Sequence, residues 1–261
     1  MININKNLFL SQNDNITAIA SGATGMGKTW LAISLAQALN MLRQKVLLFD
    51  ADNGLQNIMF QLALQNSNID EVINDKKSIN QIVESFNKKR LDVICGISGS
   101  NILVDTPVGR LQTLREDLLI EASRYDNVLI DLPNEEKIFQ HFLPQNADLI
   151  LICTGDPANL VATYKFLQET VQNYKYNRLQ IIVNYANSYE DGLQTYNILH
   201  RACGQYIKSI PELLGVIRID TRVRDAIRNQ VPFMNRYPDS EAAEDVINIA
   251  KKLINSGEIN E

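Results

Sequence analysis

Short runs of apolar residues alternate with helical patterns along most of the chain, and this alternation restricts the fold more than any other feature of the sequence. Each run is apolar at consecutive positions, which is typical of a strand buried on both faces. Between the runs, apolar residues return every three or four positions, as in a helix that packs on one side. The alternation predicts an α/β fold in which a mostly parallel central sheet is covered by helices on both faces. The predicted strands lie at residues 16–20, 45–49, 128–130, 149–153 and 179–183, with a weaker one at 91–95, and the clearest predicted helices at 28–42, 111–123, 160–172 and 193–203.

The whole chain, residues 1–261, is expected to form a single domain. Its 261 residues, of which 45% are hydrophobic, suffice for one large α/β core, and we find no repeat, low-complexity run or linker. Residues 1–15 hold only a short apolar run, too little for a signal peptide. No segment approaches the ~20 apolar residues that span a bilayer. By elimination, the sequence predicts a cytoplasmic protein.

Charge and cysteine content narrow the class of protein further. A formal net charge of -5 gives no general attraction to nucleic acid or to an anionic membrane. Cys95, Cys153 and Cys203 are odd in number, far apart and without metal-type spacing. We therefore expect buried thiols in a reducing compartment.

The loop after the first predicted strand carries a phosphate-binding pattern. Gly22, Gly27, Lys28 and Thr29 satisfy the Walker A pattern, and they lie between a strand and a helix as that pattern requires. Glycines let backbone N–H groups turn around phosphates, Lys28 is expected to reach the β and γ phosphates, and the Thr29 hydroxyl to bind Mg²⁺. The alternative, a turn that merely joins strand and helix, gives no packing reason for Lys-Thr. The sequence thus predicts that ATP with Mg²⁺ binds at Gly22, Ala23, Thr24, Gly25, Met26, Gly27, Lys28, Thr29 and Trp30.

Aspartates close two of the predicted strands, at the edge of the sheet where ligands of parallel sheets bind. Asp50 and Asp52 follow the second strand, where Asp52 could orient or deprotonate an attacking water and Asp50 could hold Mg²⁺ waters or Thr29. Asp131 ends a strand of Walker B type and could bind a Mg²⁺ water. A solvated turn at 53–54 and a simple strand-end cap remain the alternatives.

Asn184 closes the strand predicted at 179–183, and Ser21 and Thr154 close two others. The position of Asn184 suits a hydrogen bond to an adenine edge. Asparagine also caps strands often, so a purely structural role stays open.

Together these segments resemble the MinD/ParA family of P-loop ATPases, in particular its flagellar-regulator branch, the FlhG type. The likeness runs almost end to end. Beyond the P-loop, residues 48–57 are similar to the family's switch I segment. Similar stretches follow at 214–220, 223–227, 232–233 and 238–243, the last opening a helix expected at about 239–255.

The resemblance implies an ATP-driven switch. Monomers of such proteins bind ATP, pair face to face across the nucleotides, engage a membrane or a protein partner, and separate after hydrolysis. Asp52 matches the family's water-positioning aspartate and Asp131 its switch II aspartate. With Lys28, Asp52 is the expected catalytic group.

The sequence departs from the family pattern in two places, the P-loop and the segment after Asp131. The family's loop begins Gly-Lys-Gly-Gly, and its first lysine reaches the partner's phosphates, but here Ala23 stands in that place. Loss of such a cation is expected to cost roughly 10³ to 10⁵ in rate, by analogy with arginine fingers. After Asp131 the family tends to glycine, whereas residues 132–136 are stiffer and acidic. An altered switch is therefore expected.

Two surfaces could engage a larger partner. The C-terminal helix has an apolar stripe, suited to packing on the sheet, with peripheral binding at the inner face of the membrane as the alternative. Arg218, Arg222, Arg224 and Arg228 could contact DNA phosphates, although an ordinary solvated helix face explains them equally.

The leading hypothesis is a cytoplasmic MinD/ParA-type ATPase that positions or counts a cellular structure such as the flagellum, slow without a partner. The competing hypothesis is a nucleotide-binding scaffold that has lost catalysis and signals by ATP occupancy. Loss of the family lysine favours the scaffold; Lys28, Thr29 and Asp52 oppose it. A metabolic P-loop enzyme is a third option, but no substrate-specific motif supports it.

Overall fold

The computed structural model describes residues 15–257 apart from positions 53, 56, 66–67, 87–89, 101, 135, 143–146, 175, 177 and 208–209. The expectations for residues 1–14, for the turn residue Asn53, for Gln56 in the switch I segment, for Glu135 and for the tail at 258–261 lie outside the described residues.

Eight strands of the described chain form one sheet. They are β1 (Ile16–Ser21), β2 (Val46–Asp50), β3 (Glu84–Ser85), β4 (Leu91–Ile94), β5 (Asn127–Asp131), β6 (Asp148–Cys153), β7 (Leu179–Ala186) and β8 (Glu212–Arg218). The spatial order is β3-β4-β2-β5-β1-β6-β7-β8. Every neighbouring pair is parallel except β3 and β4, which are antiparallel. The predicted mostly parallel sheet is confirmed.

Helices pack on both faces of this sheet. They are α1 (Lys28–Met41), α2 (Ile58–Leu62), α3 (Ile69–Ile73), α4 (Ile79–Ile82), α5 (Ile102–Asp105), α6 (Val108–Ala122), α7 (Glu136–Phe142), α8 (Pro157–Asn173), α9 (Tyr189–Tyr206), α10 (Arg222–Arg228), α11 (Phe233–Arg236) and α12 (Glu241–Gly257). Successive side chains of a strand point to opposite faces, so Leu47 and Phe49 enter one apolar core while Val46 and Leu48 enter the other. The α/β fold class is therefore confirmed.

Strand β8 was not predicted as a strand. Its apolar run is interrupted by Gly215, which weakens a strand pattern. The structure supplies the reason for this glycine: a Cβ atom at position 215 would lie 2.5 Å from Cγ1 of Ile249 in α12. The glycine that interrupts the apolar pattern therefore lies where α12 packs closely against β8.

The C-terminal helix packs on the domain, as expected from its apolar stripe. Ala243, Val246, Ala250 and Leu253 are buried in the same core as α1, and α12 contacts both α1 and β8. Among the described residues, no helix has the length and apolar character needed to cross a membrane. The three cysteines are buried and none of them forms a disulfide, which confirms the prediction of buried thiols.

Candidate nucleotide-binding site

The loop between β1 and α1 is held in a shape that only glycine adopts easily. Gly25 and Gly27 have φ angles of +79° and +88°, in the left-handed region that side chains disfavour. Gly27 also caps α1, with no side-chain hydrogen bond to the cap and no acidic residue in the first turn. The N–H groups at this helix end are thus left to a ligand, and the helix dipole favours an anion there.

Neighbouring elements fix the loop from two sides. A Cβ at Gly22 would lie 2.5 Å from the Ala162 carbonyl oxygen of α8, and one at Gly27 would lie 2.5 Å from Nδ2 of Asn184 in β7. Asn184 is almost fully buried, and its Nδ2 donates a hydrogen bond to the Met26 carbonyl oxygen at 2.8 Å. In this structure Asn184 supports the loop. Its proposed contact with an adenine edge stays a prediction.

Lys28 lies at the centre of a buried ionic cluster. Its Nζ is 2.8 Å from Oδ2 of Asp52 and 3.0 Å from Oδ1 of Asp131. Burial by itself lowers the pKa of Lys28, but the charges of Asp131 and Asp52 and their hydrogen bonds outweigh it, so the net pKa is raised. Lys28 therefore keeps its positive charge at any physiological pH.

Asp131 connects Lys28 to Thr29. Its Oδ2 accepts a hydrogen bond from the Thr29 hydroxyl at 2.7 Å. Burial raises the pKa of Asp131, while the charge of Lys28 and the hydrogen bond from Thr29 oppose this rise. Three side chains that the sequence pattern assigned to phosphate and Mg²⁺ are thus in direct contact.

Asp50 is buried beside them, paired in register with Asp131 across β2 and β5. Its Oδ1 accepts from the Asp52 N–H and its Oδ2 from the Ile58 N–H, both at 2.9 Å. Burial, and next the charge of Asp131, raise the pKa of Asp50 well above its ordinary value. In this structure Asp50 anchors the segment that carries Asp52. Its predicted role at Mg²⁺ stays a prediction.

The aromatic residue Trp30 has its side chain in the core. It is only 5% exposed and its ring packs edge-on against Phe233, with centroids 5.5 Å apart. The predicted contact between Trp30 and the nucleotide would therefore be made by the backbone N–H of Trp30.

Sequence reasoning missed two residues at this loop. Tyr185 has a φ of +58°, unusual for a bulky residue, and its hydroxyl would lie 3.1 Å from a Cβ on Gly27. Asn134, in the segment that follows Asp131, contacts Ser21 and Thr24. The aromatic directly after Asn184 was a usable signal for Tyr185; nothing in the pattern singled out Asn134 from its acidic neighbours.

The arginines considered for DNA contact are partly engaged within the protein. Arg218 hydrogen-bonds both oxygens of Asp245 and forms an ion pair with Glu241 at 2.7 Å. Arg222 pairs with Asp220, also at 2.7 Å. These contacts lower the charge available to a DNA backbone, and binding of DNA stays a prediction.

Among the residues that the structure describes, side chains alone do not form a metal cage. Within the described ranges, no group of three or more His, Cys, Asp or Glu side chains could hold a metal ion. The predicted Mg²⁺ site does not require such a group, because in phosphate sites this ion takes one or two protein oxygens and completes its shell with phosphate and water.

The fold and the site together define a class: an α/β domain with a P-loop at the carboxyl end of its central strand β1. Residues 17–233 match the CobQ/CobB/MinD/ParA nucleotide binding domain, and the chain belongs to this family. The resemblance inferred from sequence is therefore confirmed.

Relatives along most of the chain are consistent with the flagellar-regulator branch. The antiactivator FleN of Pseudomonas aeruginosa is 23% identical over 248 residues, covering 91% of this chain and 85% of FleN. The flagellum site-determining protein YlxH of Helicobacter pylori is 24% identical over 247 residues, covering 93% of this chain and 82% of YlxH. The septum site-determining protein MinD of Pyrococcus horikoshii, solved with Mg-ADP, has a similar fold, with a TM-score of 0.75 at 20% identity over 95% of this chain and 99% of that one.

Proposed function

We propose that this protein is an ATP-dependent switch that hydrolyses ATP slowly and takes part in the spatial or numerical control of a cellular structure such as the flagellum. The observation that carries the proposal is the direct contact of Lys28 with Asp52 and Asp131, and of Asp131 with Thr29. It brings together the cation expected to bind phosphate, the hydroxyl expected to bind Mg²⁺ and two carboxylates.

The residues present fit ATP with Mg²⁺. The uncapped N-terminus of α1 and the glycines with positive φ supply backbone donors for phosphate oxygens. Lys28 would hold the β and γ phosphates, Thr29 would bind Mg²⁺ directly, and Asp131 would hold it through water. Mg²⁺ supplies charge neutralisation of the phosphates when bound.

Hydrolysis would depend on Asp52. Its side chain is one-third exposed, whereas Asp131 is fully buried, so a water molecule can reach Asp52. There it could orient the attacking water or accept its proton. Ala23 in place of the family's lysine supports a slow rate and a need for a protein partner.

The proposed partners are a second copy of the chain, paired across ATP, and a protein not yet identified. A cytoplasmic site of action is part of the proposal, with peripheral contact to the inner face of the membrane as the alternative. The burial of the α12 stripe weighs against that helix as the membrane contact. The flagellum is proposed as the cargo because YlxH of Helicobacter pylori is named for determining its site.

A scaffold that signals by ATP occupancy without catalysis is the second candidate. Ala23 favours it, because the in-trans cation of the family is missing while Lys28 and Thr29 remain to bind nucleotide.

ATP turnover over a range of protein concentrations separates the two candidates. We expect specific activity that rises with concentration and is abolished in Lys28→Ala and Asp52→Ala. Asp52→Ala with ATP should also sediment as a dimer. ATP binding with turnover no higher than in the variants would establish the scaffold, and a monomer at saturating ATP would refute pairing.

A further inference from the structure

The segment that follows β5 places Asn134 against the first half of the phosphate-binding loop. The Asn134 Nδ2 donates to the Ser21 carbonyl oxygen at 3.1 Å, and its Oδ1 accepts from the Thr24 N–H at 3.3 Å. The surrounding donors and acceptors determine this orientation, since the reverse would set like groups against each other. Asn134 is otherwise exposed to solvent.

Both polar groups of the peptide unit between Ala23 and Thr24 are therefore hydrogen-bonded within the protein. Its carbonyl oxygen accepts from the Ser21 hydroxyl at 2.8 Å, and its N–H donates to Asn134. This N–H is one of the backbone donors that a P-loop offers to phosphate oxygens. In the structure, Oδ1 of Asn134 already accepts the hydrogen bond of this N–H.

Asn134 lies on the side of the loop where we expect the third phosphate of a bound nucleoside triphosphate. Asn134 leaves the same strand end as Asp131, whose oxygens bond Lys28 and Thr29. In P-loops the lysine reaches the β and γ phosphates, while the α and β phosphates lie on the loop and the start of the helix. A diphosphate bound in this way would end at the helix side of the loop and could leave the Asn134 contacts intact. A triphosphate would extend one phosphate further, and we infer that this phosphate would approach the Thr24 N–H.

We propose that Asn134 sets the preference of this site between nucleoside triphosphate and diphosphate, by competing with the third phosphate for the Thr24 N–H. The inference rests on the proposed nucleotide binding and deepens it. A charged phosphate oxygen is the stronger acceptor, so triphosphate displaces Asn134. Its affinity is lowered because the two hydrogen bonds of the Asn134 amide must first break.

Two substitutions at Asn134 should move the preference in opposite directions. Asn134→Ala removes both hydrogen bonds that triphosphate must break, so affinity for triphosphate should rise by roughly 5- to 150-fold, the range expected for two neutral hydrogen bonds. Asn134→Asp supplies a charged acceptor that repels the third phosphate, so affinity for triphosphate should fall. Affinity for diphosphate should change by less than about twofold in both variants.

Asn40→Ala is the matched control. Asn40 also donates its amide N–H to a backbone carbonyl, that of Gln44 at 3.3 Å. It lies at the far end of α1 from the loop, ~18 Å from Lys28 at the rise of an α-helix. This variant should leave the affinities for both nucleotides unchanged.

Calorimetric titration of the full chain with Mg-ADP and with a non-hydrolysable Mg-ATP analogue tests the proposal independently of catalysis. The expected result is a ratio of the two dissociation constants that shifts toward triphosphate in Asn134→Ala and away from it in Asn134→Asp. If both nucleotides bind but the ratio of their dissociation constants is the same in wild type and Asn134→Ala, the proposed role of Asn134 is refuted while the proposed function stands. Failure of the wild-type chain to bind either nucleotide would overturn the proposed function, and this inference with it.

Discussion

Lys28 is 7% exposed and faces Asp131, which is fully buried, at 3.0 Å. Taking two such charges out of water is costly, and their mutual attraction offsets the cost only while both are present. The stability of this part of the molecule therefore depends on the ion pair whose lysine would bind phosphate.

Substitution of Lys28 by Met should lower the free energy of unfolding by about 3–5 kcal/mol, because it leaves the buried carboxylate of Asp131 without its cation. The double variant Lys28→Met with Asp131→Asn should be clearly more stable than Lys28→Met, since the uncompensated charge is gone. Urea unfolding of the three proteins measures this. Equal stability of the single and double variants would show that the pair contributes little.

Three carboxylates, those of Asp50, Asp52 and Asp131, lie beside the ammonium group of Lys28. Two of them, Asp50 and Asp131, are fully buried, and burial raises the pKa of both. Burial and the charge of Asp131 raise the pKa of Asp50 in the folded protein. Between the ordinary carboxyl pKa of ~3.9 and the raised value, the folded state binds more protons than the unfolded state. The free energy of unfolding attributable to Asp50 must then fall as pH rises through that window.

Asp50→Asn removes this titration while keeping one oxygen for a backbone amide. The free energy of unfolding of wild type minus that of Asp50→Asn should be largest near pH 4 and decrease toward neutral pH. Urea unfolding in Mg²⁺-free buffer at several pH values provides the measurement. A difference that grows with pH would mean that Asp50 is stabilised as the carboxylate.

At the level of side chains, sequence reasoning predicted correctly which groups lie together where their positions are set by a motif. Lys28, Thr29 and Asp131 meet because a P-loop and the end of a parallel strand share one edge of the sheet. Asn134 and Tyr185 could not be derived in this way. Their contacts depend on the path of a loop and on one residue with positive φ, which spacing does not encode.

Among the elements, the helix α9 packs on β8 through a glycine. A Cβ at Gly192 would collide with Cγ1 of Val216 and lie 2.7 Å from its Cγ2. Gly204 is on the same helix, but it is exposed and its nearest neighbour would be 3.4 Å away, at Ile210. One helix thus contains a glycine required by packing and one that is not.

Gly192→Ala should destabilise the protein by about 1–3 kcal/mol, the usual cost of overpacking. Gly204→Ala should stabilise it by up to about 1 kcal/mol, because alanine is the better helix former and nothing obstructs the methyl group. Thermal unfolding of both variants gives the comparison. Two variants of equal stability would show that α9 can shift away from β8 at no cost in stability.

Strands were predicted correctly where a continuous apolar run exists, and they were missed where the run is too short or is interrupted. Six strands were found from apolar runs, with ends displaced by at most a few residues. The two missed strands are β3, only two polar residues long, and β8, whose run is broken by Gly215. The short helices α2 to α5 were also missed, because four or five residues are too few to establish a helical period.

At the scale of the whole molecule, the proposed pairing with a second copy depends on the P-loop. The family resemblance assigns that coupling to a lysine in the P-loop, and here the position is the half-buried Ala23. Lys28 and Asp52 remain in place and in contact. The chain therefore keeps the in-cis groups while it lacks the in-trans cation, and supplying that cation tests the proposed pairing.

Ala23→Lys should raise ATP turnover at least tenfold, and only at protein concentrations where two copies pair, because the added cation would act on the partner's phosphates. The upper bound is the roughly 10³- to 10⁵-fold effect of arginine fingers. Ala23→Met, of similar length without charge, is the matched control and should not accelerate turnover. Lys28→Ala combined with Ala23→Lys should stay inactive, since the phosphates would no longer be held in cis. A rate increase independent of protein concentration would place the new lysine in its own site and argue against a dimer.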